Sequence, residues 1–595
     1  MSVNRIGRSR LAALAMAGTA LMTAGPALAQ TAPTAPSDSA MVNLVRLLVE
    51  QKVITRAAGD ALMQQAEAEA QQARAAAPAA QANAGLPPAA PGTIRVPYIP
   101  ETVRAQIKDE LRTEVLAQAK SEGWAAPDKS APDWTRKITL YGDVRFRSQS
   151  DLYSKSNSNQ IVDFAGINNH GPTDVINDPI PFLNSSKDRL NQLRLRARLG
   201  LKADISPHIQ AGFVLATGDD AGPISTNVSL GGGLGKRDIW LQDAWFKVLP
   251  TQWSSVSFGR FENPFRSTEL LFDPDLAFDG VAANVELGKM FGDRGIDFAL
   301  RGGAFPLDFG DANFPSNDPD KRGVAQKYLL SAQAELGVNI GDDIRLDVAA
   351  AYHDFVNVQG QLSEPCALYA GATECSTDGR RPFFLRKGNT LSPLRQIAVD
   401  PGLPAGSIQP QPQFFGLTFD YNVLNVNASV SYKFNDDISL VATGDYIRNL
   451  AFKRSDLCRN GIAGEPFNNG KEVDANGDGT PESTGDICAA KNPTRWVGGN
   501  QGYLGMLTIG HREVRRWGQW SAQVGYRYLQ SDATLDSLTD SDFHLGGTNA
   551  KGYFVGGKMG LFDGMSVGAR WLSANEITGE PFAIDVFQLD LQVAF

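Results

Sequence analysis

The feature that most constrains the fold is a period-two alternation of apolar and polar residues, seen most clearly in the last nine positions. Phe587, Leu589, Leu591, Val593 and Phe595 alternate with two glutamines, an aspartate and an alanine. Such a strand has one apolar and one polar face. Its free edge aggregates unless it is paired. A closed barrel in a membrane solves this problem, because lipid covers the apolar face. The alternative is an ordinary edge strand of a soluble sheet.

The same alternation continues from about Lys137 to the last residue. Val144 and Phe146, for example, oppose Arg145 and Arg147. In a soluble sandwich each apolar face would pack on a second sheet. The pattern instead predicts an all-β transmembrane barrel of about 16 antiparallel strands, an even number as in single-chain bacterial barrels. The predicted strand centres lie near residues 143, 196, 212, 243, 257, 282, 299, 331, 348, 427, 443, 506, 523, 556, 569 and 590. An even total lets the last strand close on the first, which predicts a seam where Gln588, Asp590 and Gln592 lie beside Asp143, Arg145 and Arg147.

The connections between these segments alternate in length. Five short ones contrast with long ones near 150–186, 217–236, 306–325, 356–415, 450–498 and 531–550. This asymmetry is typical of periplasmic turns and external loops, and it predicts periplasmic termini. The link between the strands near 257 and 282 is short, so a long third loop folded into the barrel is not expected. We expect the constriction to come from 356–415 or 450–498.

The N-terminal part predicts export followed by a helical region. Residues 1–29 have three arginines, a short apolar run and Ala27-Leu28-Ala29, as in a secretory signal peptide. Residues 30–100 predict a periplasmic helical hairpin and a disordered linker. Residues 101–133 predict an amphipathic helix and a connector, with a stripe that suits a coiled coil between copies, a lid on the barrel or simply a solvated helix. The barrel takes 134–595.

Composition and motifs argue against several other classes of protein. The net charge of −9 gives no support for nucleic-acid binding. Five histidines lack metal-type spacing, and no nucleophile elbow, phosphate loop or zinc motif is present, so no enzyme is predicted and no cofactor is required. Export permits disulfides. Of three possible pairings we favour the nearest neighbours, Cys366 with Cys375 and Cys458 with Cys488.

A basic stripe is the strongest candidate for the functional site. Arg194, Arg196 and Arg198 share one strand face at steps of about 7 Å. Each would cost roughly 2–4 kcal/mol against lipid at the midplane, so they should face the lumen. The other predicted pore-lining residues are Asp143, Arg145, Arg147, Lys202 and Arg260. A basic wall favours anions. Alternatively the arginines pair with nearby acids and stiffen the wall, or an acidic loop opposes them and creates a transverse field.

One loop contains half of a calcium-binding motif. Asp474, Asn476 and Asp478 place oxygen ligands at alternate positions, and Glu482 is nearby. The twelfth position is Gly485 rather than the bidentate glutamate of the full motif. The segment therefore predicts a truncated Ca²⁺ site in an external loop, with an acidic turn as the alternative.

Several motifs carry a family resemblance across most of the mature chain. They are Val96-Pro-Tyr-Ile-Pro-Glu-Thr-Val-Arg, Ser121-Glu-Gly-Trp-Ala-Ala-Pro, Ile138-Thr-Leu-Tyr-Gly-Asp, Gly259-Arg-Phe-Glu-Asn-Pro-Phe and Asp273-Pro-Asp-Leu-Ala-Phe-Asp-Gly. Together they resemble the putative porin family of proteobacterial outer membranes. The resemblance implies a pore-forming barrel, commonly a homotrimer, with no catalytic residues. Phe595 resembles the terminal signal read by the barrel-assembly machinery.

These observations predict an outer-membrane porin whose water-filled channel passes small hydrophilic, preferably anionic, solutes by diffusion. Its partners would be outer-membrane lipid, the solutes and further copies of the chain. A structural barrel whose N-terminal helices bind periplasmic or cell-wall partners is the alternative. A barrel-borne enzyme or receptor is a third class, and channel conductance would separate the first hypothesis from the others.

Overall fold

A computed structural model describes residues 135–219, 222–291, 295–309, 326–382, 384–404, 406–458, 468–469 and 496–595. Within these ranges, 16 long antiparallel strands form one barrel sheet, each hydrogen-bonded to its neighbours in sequence. Every predicted strand centre falls inside one of these strands, so the predicted antiparallel barrel of 16 strands is confirmed. The signal peptide and the N-terminal helical region were predicted for residues that lie outside the described ranges.

The strands are β1 (Ile138–Tyr153), β2 (Arg189–Ser206), β3 (Ile209–Thr217), β4 (Ile239–Thr251), β5 (Ser254–Glu262), β6 (Ala277–Glu286), β7 (Ile296–Asp308), β8 (Lys327–Ile340), β9 (Ile344–Val356), β10 (Tyr421–Lys433), β11 (Ile438–Asn449), β12 (Gln501–His511), β13 (Trp520–Leu529), β14 (Ala550–Phe562), β15 (Met565–Glu576) and β16 (Ala583–Ala594). The short helices are α1 (Phe164–His170) and α2 (Leu287–Phe291). None of the helices in the described ranges is long and apolar enough to cross a membrane.

The barrel closes where its last strand pairs with its first. β16 runs antiparallel to β1, with Gln592 opposite Arg145 and Asp590 opposite Arg147. The backbone of Phe595 exchanges two hydrogen bonds of 3.1 Å with Gly142. Pairing both edges satisfies backbone groups that an open sheet would expose. The predicted closing seam is therefore confirmed.

The two faces of the barrel wall differ as the alternation requires. Val144 and Phe146 of β1 are 43% and 41% exposed and point outward, as do Leu199 of β2 and Leu589 of β16. Arg147 and Gln149, which alternate with them, are nearly fully buried. An exposed apolar band around a polar interior is the arrangement that a lipid bilayer stabilises.

The connections divide into short turns at one end of the barrel and mostly long loops at the other. Two-residue turns join β2 to β3, β4 to β5 and β14 to β15, whereas 64 residues, 357–420, separate β9 from β10. The loops carry the helical turns Leu368–Ala370, Asp378–Arg380, Arg454–Cys458, Asp536–Leu538 and Phe543–Leu545 and the short strands Thr173–Asp174, Val228–Ser229, Leu391–Pro393, Pro412–Gln413 and Phe415–Leu417; the turn Thr135–Lys137 precedes β1. We refer to the two ends as the short-turn end and the long-loop end.

The hydrophobic core lies inside the barrel toward the long-loop end. Leu270, Phe355, Phe419 and Phe543, which come from different loops and strands, are 1% exposed or less and belong to one cluster. Each such side chain contributes about 1.5–3 kcal/mol when it leaves water. The loops therefore fold down onto the inner wall. Within the loop 357–420, a disulfide joins Cys366 to Cys375.

Candidate functional site: a basic inner wall and a loop that crosses the barrel

The predicted basic stripe forms a compact patch on the inner wall of β1 and β2. Asp143 lies opposite Arg198, Arg145 opposite Arg196, and Arg147 opposite Arg194. Directly opposed residues of an antiparallel pair project from the same face of the sheet. The structure therefore brings five predicted arginines and Asp143 together. Lys202, opposite Thr139, continues the same face toward the short-turn end.

Acidic groups compensate part of this patch. Asp143 accepts hydrogen bonds from Arg196 and Arg198 at 2.8 and 2.6 Å. Asp275, in the loop 263–276, lies 3.2 Å from Arg196 and 3.4 Å from Arg198. Two acids thus hold these two guanidinium groups in fixed positions on the wall.

Arg147 has acidic partners from two different parts of the chain. Its Nε lies 2.7 Å from Asp590 of β16, and its Nη1 lies 2.9 Å from Asp542 in the loop 530–549. The first ion pair crosses the closing seam, and the second ties a loop to the wall. The closing seam is therefore joined by side chains as well as by backbone hydrogen bonds.

Arg145 and Arg194 differ from these residues, because no carboxylate among the described residues forms an ion pair with either. Arg145 donates to the Oδ1 of Asn227 at 2.7 Å. The Nε atoms of both arginines are buried and lack a hydrogen-bond partner in the described part of the chain. A guanidinium cannot lose its charge in a protein. These two arginines therefore leave uncompensated positive charge at the inner wall.

Arg260 does not join the basic wall that the sequence predicts for it. It shares a strand face with Phe258, which stacks on outward-facing Phe246, whereas Phe261 on the other face is buried in the core. Arg260 pairs at 3.0 Å with Asp279, whose side chain is 53% exposed. This ion pair compensates both charges on the outer face of the wall. The pairing joins two separate strands, so the sequence does not reveal it.

The loop 263–276, between β5 and β6, crosses the interior of the barrel. Arg266 donates to Asn427 at 3.2 Å and to Ser429 at 2.6 Å, both on β10. Thr268 donates to Asp445 of β11 at 2.5 Å. The expectation that this link is too short to fold inward is therefore wrong. Whether 356–415 or 450–498 forms the constriction stays a prediction, and most of 450–498 lies outside the described ranges.

An ion pair completes the crossing on the far side of the barrel. Glu269 pairs with Arg570 of β15, with the nearest atoms 2.7 Å apart and side-chain exposures of 23% and 19%. The guanidinium of Arg570 also lies 4.9 Å from the ring of Phe554. The loop, which starts at β5, is thus anchored on β10, β11 and β15 and divides the lumen.

Apolar side chains explain why a loop of 14 residues takes this path. Phe265, Leu270, Leu271, Phe272 and Leu276 are all at most 6% exposed. Burying one such side chain stabilises the folded state by roughly 1.5–3 kcal/mol, and the five together stabilise the inward path of the loop by several times that amount. The run Leu270-Leu271-Phe272, set between Glu269 and Asp273, is a signal in the sequence that could have identified an inward loop.

A second loop, 530–549, meets the crossing loop inside the barrel. The backbone N–H of Asp273 donates to the carbonyl of Leu538 at 2.9 Å, and the Asp273 carboxylate accepts from the N–H of Ser541 at 2.9 Å. Burial, together with the nearby Asp540, raises the pKa of Asp273 to about 8. Burial and the negative charge of Glu269 also raise the pKa of Asp540. The loop junction therefore favours neutral carboxyl groups.

The arrangement places basic groups on the wall and acidic groups on the loops. Asp542 is the clearest case: burial opposes its ionisation, but the guanidinium groups of Arg147 and Arg570 outweigh burial and lower its pKa. Asp275 and Glu269 face the wall in the same way. Each of these loop acids is in contact with the arginine that it faces, so the ion pairs fix the loops to the wall and compensate these charges locally.

A polar cavity of about 280 Å³ lies on the inner wall along the four strands β13 to β16. Its lining includes Arg147, Lys558, Arg570 and Asp590, together with serine, glutamine and glycine residues. Lys558 contacts Gln592 at 3.4 Å and forms no ion pair with the described residues. Lys558 and Arg570 were not predicted, although each lies on a predicted strand and the alternation could have placed it on the inner face.

No group of three metal-binding side chains occurs in the described ranges. The predicted calcium ligands Asp474, Asn476, Asp478 and Glu482 lie outside those ranges. The second predicted cysteine pair, Cys458 with Cys488, likewise lies outside the described side chains.

Comparison with solved structures finds similar barrels at low sequence identity. The outer membrane channel DcaP of Acinetobacter baumannii is 12% identical, with 77% of this chain and 97% of that chain covered and a TM-score of 0.34. OmpF of Salmonella typhi in complex with daunomycin is 10% identical, with 77% and 97% covered and a TM-score of 0.36. OmpT of Vibrio cholerae is 10% identical, with 77% and 97% covered and a TM-score of 0.32.

No curated protein sequence matches the chain. A profile of the family described as "Putative porin" matches residues 38–595, which include the whole barrel, the basic wall and the crossing loop. Because the match extends over far more than half of the sequence, the chain belongs to the putative porin family.

Proposed function

We propose that the protein is an outer-membrane porin that passes small hydrophilic solutes by passive diffusion and prefers anions. The closed barrel and the family support a channel rather than an enzyme. The observation that carries the anion preference is the uncompensated charge of Arg145, Arg194 and Lys558 on the inner wall.

The size of this preference follows from simple electrostatics. An anion 4 Å from one guanidinium in a water-filled lumen gains about 1 kcal/mol, and more where the wall lowers the dielectric constant. One kcal/mol changes a local concentration about fivefold. A modest preference is therefore expected, because Asp143, Asp275, Asp542 and Asp590 compensate the other arginines.

The same proposal includes an orientation and an assembly. The long loops face outward from the cell, and the short turns and both termini face the periplasm, as the loop asymmetry of such barrels supports. Residues 30–133, for which the sequence predicts a helical hairpin, a linker and an amphipathic helix, then lie in the periplasm. The outward apolar band contacts lipid, the barrel-assembly machinery inserts the chain, and three copies associate.

The preference is tested by replacing Arg145 and Arg194 with serine together. Arg196 and Arg198 stay, since their loss would leave Asp143 buried without a partner. In planar bilayers under a salt gradient, the reversal potential should shift toward cation preference. The matched control is Arg448→Ser, because Arg448 is an exposed arginine on β11.

Two results would contradict the proposal at different levels. An unchanged reversal potential in the double variant would reject the anion preference while leaving the channel intact. A native protein that inserts but conducts no ions would reject the channel itself and favour an anchoring barrel.

A further inference from the structure

The barrel wall is interrupted between β6 and β7 at the long-loop end. The two strands pair only from Val281–Glu286 to Ala299–Ala304. β6 nevertheless continues to Ala277, where it pairs with β5, and β7 continues to Asp308, where it pairs with β8. Among the described residues, 277–280 of β6 and 305–307 of β7 therefore do not pair with each other across this gap.

Local chemistry explains why the ladder stops at this point. Pro306 has no N–H to donate, and proline is disfavoured in the interior of a sheet for that reason. At Gly280, whose φ is +136°, a Cβ would lie 2.3 Å from the carbonyl oxygen of Ala304. The strands thus approach closely at Gly280 and separate beyond it.

A cavity of about 420 Å³ lies at this gap. One edge is formed by Ala277 and Phe278, and the other by Phe305, Pro306 and Leu307. The cavity also touches Arg260 and Asp279 on the outer face of the wall and fully buried Leu329 on its inner face. Residues of both faces of the wall therefore line the cavity.

The interior of the cavity is mostly apolar but ends at a polar group. Leu417, Leu535 and Leu538, from two of the long loops, close its inner side. Asp536 lines the same side and is 2% exposed, and its Oδ2 has no hydrogen-bond partner among the described residues. A buried acceptor without a donor is costly, and a bound donor would satisfy it. Burial raises the pKa of Asp536 to about 7.

We propose that this cavity binds a small apolar solute with an aromatic ring and one hydrogen-bond donor, which enters through the gap between β6 and β7. The volume lies within the range of small-molecule sites, which combine apolar walls with a few polar groups. Phe278 and Phe305, with ring centroids 5.0 Å apart, supply aromatic lining to the cavity. A lipid acyl chain is the less suitable occupant, because it carries no donor for Asp536.

The proposal goes beyond passage of hydrophilic solutes and does not depend on the anion preference. It is tested with N-phenyl-1-naphthylamine, a fluorescent aromatic amine that brightens in apolar surroundings, added to the protein in lipid nanodiscs. The native protein should show a saturable signal above that of protein-free nanodiscs. Ala277→Trp should weaken this signal by about tenfold or more, because the indole occupies the entrance. The matched control Ala304→Trp, on the exposed face of β7, should leave it unchanged.

Leu538→Trp fills the cavity from the loop side and tests the same site if Ala277→Trp fails to insert. Asp536→Leu should weaken binding severalfold by removing the acceptor. Single-channel conductance of each variant is recorded in parallel, so that loss of the channel is distinguished from loss of the site. Equal signals from native protein, Ala277→Trp and Leu538→Trp would overturn the proposal, as would displacement of the probe by nanodisc lipid with a longer acyl chain.

Discussion

The ion pair between Glu269 and Arg570 should hold the crossing loop in place, and Glu269→Gln is the change that isolates it. Two unit charges about 4 Å apart attract by about 4 kcal/mol at an effective dielectric constant of about 20. Both side chains are about four-fifths buried, so desolvation offsets part of this attraction. Glu269→Gln should therefore remove about 2 kcal/mol of the free energy that holds the loop in its docked position. This loss shifts the equilibrium between the docked and the released loop about 30-fold.

Single-channel recording in planar bilayers measures this balance directly. We expect Glu269→Gln to alternate between the native conductance and a higher level, because a released loop no longer divides the lumen. Arg570 alone is a poorer test, because it also lies near Asp540 and Asp542.

The matched control is Glu335→Gln. Glu335 pairs with Arg301 at 2.7 Å and comparable burial, and both residues belong to wall strands, β8 and β7. Arg301 also donates to the carbonyl of Pro264 at the start of the crossing loop, and that hydrogen bond stays in place when only Glu335 is changed. This variant should conduct like the native protein. If Glu269→Gln recordings cannot be told apart from those of the native protein and Glu335→Gln, the ion pair does not position the loop and the estimate above is wrong.

Three further predictions concern the loops. The folded-state pKa of Asp273 is raised to about 8, so neutral Asp273 stabilises the junction between the two loops fully below about pH 4, and this stabilisation is lost as the pH rises through 8. Channel noise should therefore increase between pH 6 and 9. Asp273→Asn should remove this pH dependence. Replacing Cys366 and Cys375 by serine removes a constraint of about 2–3 kcal/mol; loop 357–420 should become protease-sensitive while the barrel stays heat-stable, and unchanged cleavage would contradict this. Calorimetry of the mature protein should show Ca²⁺ binding to 474–482, and the absence of heat at millimolar calcium would remove that site.

The strands and their inner and outer faces could be predicted because side-chain alternation is a local property of the backbone. Every strand centre was placed correctly, and so was the seam, where Asp590 meets Arg147. An even strand number and a terminal strand with one polar face leave one way to close the sheet. The basic wall followed for the same reason, since Arg194, Arg196 and Arg198 alternate with leucine and alanine.

The paths of the loops could not be predicted, because contacts between distant residues decide them. Arg266 reaches Asn427, 161 positions away, and Glu269 reaches Arg570, 301 positions away. Nothing in the local pattern around residues 263–276 specifies these partners. The predicted orientation of the Arg260 side chain was wrong for a related reason. Its position on the outer face depends on the ion pair with Asp279 of the neighbouring strand.

The sequence by itself therefore determined a closed barrel with a basic inner wall, since period-two patterning separates the residues that lipid covers from those that water covers. Only the tertiary structure decided which charges remain uncompensated, which loop crosses the lumen and where the pairing between β6 and β7 ends. Those properties depend on the distances between side chains from separate strands and loops, and such distances are set only when the barrel closes and its loops fold inward.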